Sequence, residues 1–221
     1  MNKSEYEKIV SYMRTQMDLS DPVHGEGHVH RVLKNALDIA EHCEAEIDRD
    51  VLIAACLLHD IGRLEENKRL ESCHAQIGSE MACNYLLSIG WSEIKANHVS
   101  DAIKLHTHRK KTEDTPIEAQ ILFDADKLDT IGFIGIARLL MYDGIMGKPI
   151  YKFSEKKKVY TSADMSESST FLQEYNLKKA IAKKLYTSYA RNRAAMRVEK
   201  TINFYEGLLD EIAFYSSDIF H

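Results

Sequence analysis

The apolar run from Val51 to Leu58 ends in two polar residues, His59 and Asp60, and this junction constrains the fold more than any other feature of the sequence. A helix that buries its most hydrophobic turn buries the adjoining imidazole and carboxylate with it, and burying either group without a partner is costly. A divalent cation would satisfy both groups at once. The alternative is an ordinary exposed helix end, with Gly62 as a left-handed cap.

Two further polar residues fall at the edges of apolar helical faces. His28 begins a segment whose apolar residues repeat with a helical period, namely Val29, Val32, Leu33, Ala36, Leu37 and Ala40. Asp126 lies on a helix that opens near Pro116, a residue typical of a first helical position. Because Asp126 shares a face of that helix with Leu122 and Phe123, we expect its carboxylate to be directed inward.

The composition predicts an all-α fold in one domain. The chain has 221 residues and only three prolines, and its apolar residues recur at helical spacing. No linker rich in Pro, Gly or Ser divides it, so we expect residues 1–221 to form a single domain. Helical stripes between about residues 169 and 215 are expected to pack on the core of that domain, with a second subunit as the alternative partner.

The charge and the cysteines exclude several classes of protein. A net charge of −5 and a pI near 6.1 argue against binding to extended nucleic acid. No apolar run approaches the ~20 residues that span a bilayer, so no membrane contact is expected. The four cysteines lack Cys-x-x-Cys spacing and are typical of a reduced, cytoplasmic protein. A homodimer is compatible with the sequence, because two-fold dimers are the commonest assemblies.

Three stretches of the chain together resemble the HD-domain metal-dependent phosphohydrolases. In chain order they carry a separate histidine, an adjacent His-Asp pair and a distant aspartate: His28-Val29-His30-Arg31-Val32, Leu57-Leu58-His59-Asp60-Ile61-Gly62-Arg63 and Ile121-Leu122-Phe123-Asp124-Ala125-Asp126-Lys127-Leu128-Asp129. The resemblance covers about residues 21–148 and implies a single-domain HD-type helical bundle. By this resemblance, the metal ligands would be His28, His59, Asp60 and Asp126.

The stretch from Ile131 to Arg138 is further similar to a bacterial subgroup of predicted HD-superfamily hydrolases. Some relatives of that subgroup are similar to nucleotide pyrophosphohydrolases. The resemblance therefore implies a phosphorylated substrate, with a nucleotide as the preferred class.

The donor types narrow the choice of metal. Two imidazoles and two carboxylates, without thiolate, suit octahedral Mn, Fe, Co, Ni or Mg better than a closed structural zinc site. Four protein ligands leave two octahedral positions for a water and a phosphate oxygen. Such a site favours catalysis over a structural role.

Two more histidines raise the question of a second ion. His74 begins one predicted helix and His106 ends another. In some HD-family branches, histidines in these places hold a second metal together with the aspartate of the adjacent pair, which here is Asp60. The alternative is that both are ordinary helix-end histidines or phosphate binders. We expect one ion and leave the second open.

The general base is not evident from the sequence. Several branches of the family carry an acidic residue four positions after the histidine of the pair, where this chain has Arg63. Glu65 and Glu66 follow, but a shift of two positions changes the direction of a side chain too much to assume equivalence. Asp60 is expected to act catalytically through the metal, and His106 and Asp129 are the candidates for proton transfer.

A site for phosphate esters also needs cations. Arg31 follows His28 by one helical turn and Lys127 adjoins Asp126, so these two are the preferred substrate-binding residues. Two further candidates, nearby in the sequence, are Arg63 and Arg138. The alternative for each is a solvated side chain lying along a helix surface.

Together these inferences predict a divalent-metal phosphohydrolase acting on a small phosphorylated metabolite, preferably a nucleotide. Two alternatives remain open. Related HD proteins with two irons are oxygenases, which would consume oxygen. A non-catalytic nucleotide or metal sensor would be stabilised by its ligand without turnover.

Overall fold

The computed structural model describes residues 1–18, 21–66, 73–107, 114–152, 171–174, 178 and 180–216, and no strand occurs within these ranges. Its α-helices, numbered in chain order, are α1 (Lys3–Gln16), α2 (Glu26–Glu41), α3 (Arg49–Leu58), α4 (Arg63–Glu66), α5 (His74–Ser88), α6 (Glu93–Leu105), α7 (Ile117–Leu128), α8 (Gly132–Ile145) and α9 (Ser188–Ser216). Two 3₁₀ helices lie between α8 and α9, at Phe171–Glu174 and Ile181–Lys184. The predicted all-α fold class is confirmed.

The described residues group into two compact units. The first comprises Met1–Lys127 with Leu185–Ala190, and the second comprises Leu128–Lys184 with Arg191–His221. The expectation that residues 1–221 form one domain stays a prediction. No helix in the described part of the chain is long and apolar enough to cross a membrane.

Helix α3 is the centre of the first unit. It begins where the side chain of Asp48 accepts hydrogen bonds from the backbone N–H groups of Asp50 and Val51, as an N-cap does. Its buried residues are Val51, Leu52, Ala54, Ala55, Cys56, Leu57 and Leu58. Helices α1, α2 and α6 pack around it. The apolar run therefore forms the core helix that the sequence predicts, and it carries His59 and Asp60 into the interior.

Gly62 allows α5 to approach the end of α3 closely. A Cβ atom on Gly62 would lie 2.2 Å from the carbonyl oxygen of His74 and 2.6 Å from the backbone nitrogen of Gly78. No larger residue fits there without moving the backbone of α5. The glycines with positive φ are Gly90, Gly132 and Gly147. The interpretation of Gly62 as a left-handed cap is thus wrong, because its role is to make room for the first turns of α5.

The second unit has an apolar core of its own. Ile136 of α8, Phe171 and the α9 residues Tyr205 and Ile212 are buried together. The rings of Phe171 and Tyr205 are stacked with centroids 4.7 Å apart, and the Tyr205 hydroxyl donates to the Phe171 carbonyl. Gly132 opens α8 at a φ of 73°, and its N–H donates to Thr201 Oγ1 on α9.

The C-terminal helices differ in part from the prediction of helical stripes between about residues 169 and 215. Residues 188–216 form one long helix, but Ile181 begins a short 3₁₀ helix and Leu185 lies outside any helix. Leu177 lies outside the described residues. The physical reason for the break is Asp124, whose carboxylate accepts the backbone N–H groups of Tyr186 and Thr187 and so holds them in a non-helical connection.

Candidate metal centre

His59 and Asp60 lie at the end of α3 and are buried, as their position after the apolar run predicts. His59 Nδ1 lies 2.8 Å from the carbonyl oxygen of Cys56. Because a carbonyl can only accept, Nδ1 carries the hydrogen and the lone pair of His59 is on Nε2. This Nε2 atom lies 3.5 Å from Asp60 Oδ2.

His28 and Asp126 complete the first predicted set of ligands. His28 Nε2 on α2 lies 3.3 Å from His59 Nε2 and 3.6 Å from Asp60 Oδ2. One ligand atom from each of these three residues lies within 4.8 Å of the others. Asp126 on α7 reaches the group through Oδ1, which is 3.5 Å from His28 Nε2. The structure therefore brings the four residues together from three helices.

His74 and His106 approach the other oxygen of Asp60. His74 Nε2 lies 3.5 Å and His106 Nε2 lies 4.0 Å from Asp60 Oδ1. Single ligand atoms of these three residues again lie within 4.8 Å of one another. Asp60 thus has histidine nitrogens on both of its oxygens, an arrangement in which one carboxylate can bridge two ions.

The carboxylate of Asp60 is the least satisfied group of the centre. Neither of its oxygens has a hydrogen-bond partner among the described residues, and the same is true of His74 Nε2. Arg63 Nε lies 2.7 Å from Asp60 Oδ2 as an ion pair, although its N–H is not aligned for a hydrogen bond. A buried carboxylate that faces several imidazoles and has one ion pair but no hydrogen bond among the described residues is what a cation site needs, so the residues present fit a divalent metal.

The protonation states of the centre also suit a cation. Burial raises the pKa of Asp60, but His59, Arg63 and His28 outweigh it and hold the pKa well below its usual value. Burial likewise raises the pKa of Asp126, but the effects of Lys127 and His28 outweigh burial and hold this pKa below its usual value. Burial lowers the pKa of His59, and it lowers that of His106 to about 3. The carboxylates are therefore charged and these two imidazoles are neutral, which is the state that binds metal.

The centre has a closed floor and a more open rim. The side chains of His28, His59, Asp60 and His106 are at most 2% exposed, whereas those of Asp126 and His74 are each 13% exposed. The centre is therefore open to solvent on the side of the latter two.

The predicted substrate-binding cations Arg63 and Lys127 lie beside carboxylates of the centre. Lys127 Nζ is 2.6 Å from Asp126 Oδ2, and both cationic side chains are about 30% exposed. Arg31 on α2 is half-buried, and its Nη1 atom would be 3.3 Å from a Cβ on Gly27. Its guanidinium therefore folds back towards the end of α2 that carries His28.

Asp129 and Arg138 belong to the second unit and contact each other. Arg138 Nη1 donates to the carboxylate of Asp129 at 2.9 Å and to its backbone carbonyl at 3.1 Å. Both residues are buried. Their predicted roles in proton transfer and substrate binding stay predictions, and the geometry gives them a structural partner in one another.

Sequence reasoning missed a small polar cavity beside Asp60 and Arg63. Its volume is about 40 Å³, and its remaining lining residues are Gln16, Met17, Asp18, Asp21, His24 and Leu64. Asp21 Oδ1 accepts the N–H groups of Val23 and His24, and Oδ2 lies 3.2 Å from His24 Nδ1. The Asp-x-x-His sequence just before α2 is typical of such a turn and was the available signal. A polar cavity of this size can hold water next to Asp60.

Residues 25–131 match the family model of the HD domain, a span that contains all six predicted metal ligands. An HD domain therefore lies within the chain, at residues 25–131. HD domains bind divalent metals, and the cluster around Asp60 supplies the histidines and aspartates for one.

Two bacterial HD-domain relatives cover most of the chain. The crystal structure of a predicted HD superfamily hydrolase from an uncultured Thermotogales bacterium is 29% identical, with a TM-score of 0.62, over 96% of this chain and 99% of that chain. Bacillus subtilis YpgQ is 28% identical over 151 residues, which are 66% of this chain and 69% of YpgQ. The crystal structure of YpgQ in complex with ADP has a TM-score of 0.70 at 22% identity, over 94% of this chain and 97% of that chain. The HD fold is thus shared along nearly the whole chain.

Proposed function

We propose that this HD-domain protein is a divalent-metal-dependent phosphohydrolase acting on a small phosphorylated metabolite. The observation that carries the proposal is the buried carboxylate of Asp60, which lacks a hydrogen-bond partner among the described residues and has four histidine Nε2 atoms within 4.0 Å. Apart from its ion pair with Arg63, the described residues give this carboxylate none of the hydrogen bonds that a structural role would require.

The residues of the centre fall into two groups for holding metal. His28, His59, Asp60 and Asp126 would hold the catalytic ion, and Asp60 with His74 and His106 would hold a second ion. Nitrogen and oxygen donors without thiolate favour Mn, Fe, Co, Ni or Mg. When bound, such an ion supplies Lewis-acid chemistry, because it lowers the pKa of a coordinated water and polarises a phosphoryl oxygen.

The rim residues would bind the anionic part of the substrate. Arg63 and Lys127 lie beside the ligand carboxylates, where a phosphate group bound to the centre would come within reach of their charges. Arg31 projects from α2 near His28 and could contribute a third cation. These residues orient the phosphoryl group and offset its negative charge, while the buried floor excludes bulk water.

A nucleotide is the substrate class we favour. YpgQ, which shares the fold, has a crystal structure in complex with ADP. The rim offers cationic side chains for a polyphosphate, and Lys127 Nζ also lies 5.3 Å from the ring centroid of Phe123. We therefore infer that a nucleoside di- or triphosphate is the first class to test.

The test is a screen of phosphorylated metabolites with chelator-treated protein reloaded with Mn²⁺, Co²⁺, Mg²⁺ or Fe²⁺. We expect release of phosphate or pyrophosphate with at least one metal, and no release without metal. Oxygen consumption with two irons per chain would favour the oxygenase alternative instead. Thermal stabilisation by nucleotides with no turnover under any metal would favour a sensor.

A further inference from the structure

His74 is held in place by Glu66, the last residue of α4. The backbone N–H of His74 donates to Glu66 Oε1 at 2.9 Å. The ring atom Nδ1 lies 3.1 Å from both Glu66 Oε1 and Oε2. One carboxylate thus binds both the backbone and the side chain of the same histidine, which fixes the position of its Cα and the plane of its ring.

The contact also determines which ring nitrogen of His74 carries the hydrogen. A charged carboxylate can only accept, so Nδ1 carries a hydrogen, and in the neutral imidazole the lone pair is then on Nε2. Nε2 is the atom that lies 3.5 Å from Asp60 Oδ1 and has no hydrogen-bond partner among the described residues. Glu66 therefore presents the His74 lone pair to the centre.

Two other histidines of the centre are held in a different way. The Nδ1 atoms of His59 and His106 face the carbonyl oxygens of Cys56 and Ile103, each three residues earlier at the end of the same helix. His74 is the first residue of α5, so its own helix has no preceding turn to offer a carbonyl. Glu66 takes the place of that carbonyl and, unlike a backbone atom, can be removed by mutation.

We propose that Glu66 is the positioning residue of the second metal site, through the orientation and tautomer that it imposes on His74. This inference rests on the proposed function only for the identity of what His74 binds. A carboxylate that accepts from the ring nitrogen not bound to metal makes an imidazole a better ligand. Loss of such a partner typically weakens metal binding about 10- to 100-fold.

The first experiment measures the tautomer of His74 without metal. Long-range ¹H–¹⁵N correlation spectra of the chelator-treated protein, recorded at about pH 8, report which ring nitrogen of each histidine carries the hydrogen. We expect only the Nδ1–H form for His74 in the wild type and a mixture of forms in Glu66→Ala. His59 and His106 are internal controls and should keep the Nδ1–H form, which also shows that the variant is folded. An unchanged His74 spectrum in Glu66→Ala would overturn the proposal.

The second experiment titrates the apoprotein with Mn²⁺ and follows binding by calorimetry and by the spin-coupled EPR signal of neighbouring Mn²⁺ ions. For Glu66→Ala we expect about 10- to 100-fold weaker binding of the second ion, loss of the coupled signal, and binding of the first ion within about twofold of wild type. Glu66→Gln keeps an amide oxygen as acceptor and should give a smaller loss. Glu65→Gln, which removes the adjacent charge of α4, is the matched control and should behave as wild type.

These measurements separate the two ideas. Equal binding of the second ion by wild type and Glu66→Ala would overturn the role of Glu66. Binding of a single ion by wild type would remove the second ion from the proposed function. In that case the tautomer of His74 still decides whether Glu66 positions it.

Discussion

Two buried aspartates of the first unit, Asp60 and Asp124, have opposite surroundings. Asp124 is fully buried and accepts three hydrogen bonds, from the backbone N–H groups of Tyr186 and Thr187 and from the Thr187 hydroxyl. Asp60 is equally buried, faces four imidazoles and an arginine, and has no hydrogen-bond partner among the described residues. A satisfied buried carboxylate holds structure together, whereas an unsatisfied one marks a place where something else binds.

The donors to Asp124 explain what it stabilises. Thr187 precedes α9, and its Oγ1 accepts the N–H of Ala190 as an N-cap side chain does. Asp124 therefore fixes the start of the last helix. Asp60 holds no backbone segment in this way, because the groups around it are four imidazoles that could each bind a cation and the guanidinium of Arg63. The contrast predicts that removing one aspartate affects function and that removing the other affects stability.

The largest expected effect is that of Asp60→Ala on turnover. The change removes the carboxylate shared by both candidate ion sites, so metal content and activity should fall together, with turnover reduced by about 10⁴-fold or more, the scale seen when one member of a catalytic unit is lost. Helical content should remain near that of wild type. Elemental analysis, phosphate release and far-ultraviolet circular dichroism measure the three quantities. Unchanged turnover would show that the proposed site is wrong.

Asp124→Ala should affect stability and leave the metal centre intact. The change leaves two backbone N–H groups and a hydroxyl without their acceptor, which we expect to lower the free energy of unfolding by about 3 kcal/mol. For a chain of this size the Tm should fall by about 6–12 °C. Metal content and low-temperature turnover should stay near wild type. A loss of metal without a loss of Tm would contradict the contrast between the two aspartates.

The metal-free protein should lose stability as the pH falls from about 6.5 towards 3. Burial, with His59 nearby, lowers the pKa of His106 to about 3, whereas an unfolded histidine titrates near 6.5. Between these values the unfolded chain binds a proton that the folded protein does not, so lower pH favours unfolding. Urea unfolding of wild type and His106→Asn at pH 7 and pH 4.5 measures this contribution, which the variant lacks. Identical pH dependence of the two proteins would contradict it.

The smallest expected effect is that of Lys127→Met. Lys127 pairs with Asp126 at the partly exposed rim, where an ion pair contributes less than about 1 kcal/mol. We expect turnover per KM to fall by less than about fivefold, with metal content retained. Steady-state kinetics under the metal that supports the highest activity provide the measurement. A loss as large as that of Asp60→Ala would instead show that Lys127 contributes as much to the reaction as the carboxylate shared by the two ion sites.

Much of the centre could be predicted from the sequence because its signals are local. The apolar run before His59 and Asp60 predicted their burial, and the helical periods around His28 and Asp126 predicted which way those residues face. The positions of His74 at a helix start and His106 at a helix end were also correct. Each of these inferences needs only the direction of a side chain on one helix.

Other parts of the centre depended on distant contacts. Glu66 could not be assigned because its partner His74 follows eight residues later and belongs to a different helix. Asp129 lies three residues after Asp126, yet it belongs to the second unit and pairs with Arg138. The sequence alone suggests that Gly62 is a helix cap, and only the structure shows that the backbone of α5 packs closely against it. Nearness in sequence specifies none of these partners.

The amino-acid sequence by itself determined the helical fold class, the resemblance to the HD-domain superfamily and the set of histidines and aspartates available to bind a metal. These follow from short-range periodicity and from the chemistry of individual side chains. Only the tertiary structure decided that Asp60 has no hydrogen bond among the described residues while Asp124 accepts three, and that Glu66 holds His74. The reason is physical: hydrogen-bond satisfaction and burial depend on which helices meet, and that meeting is a property of long-range packing.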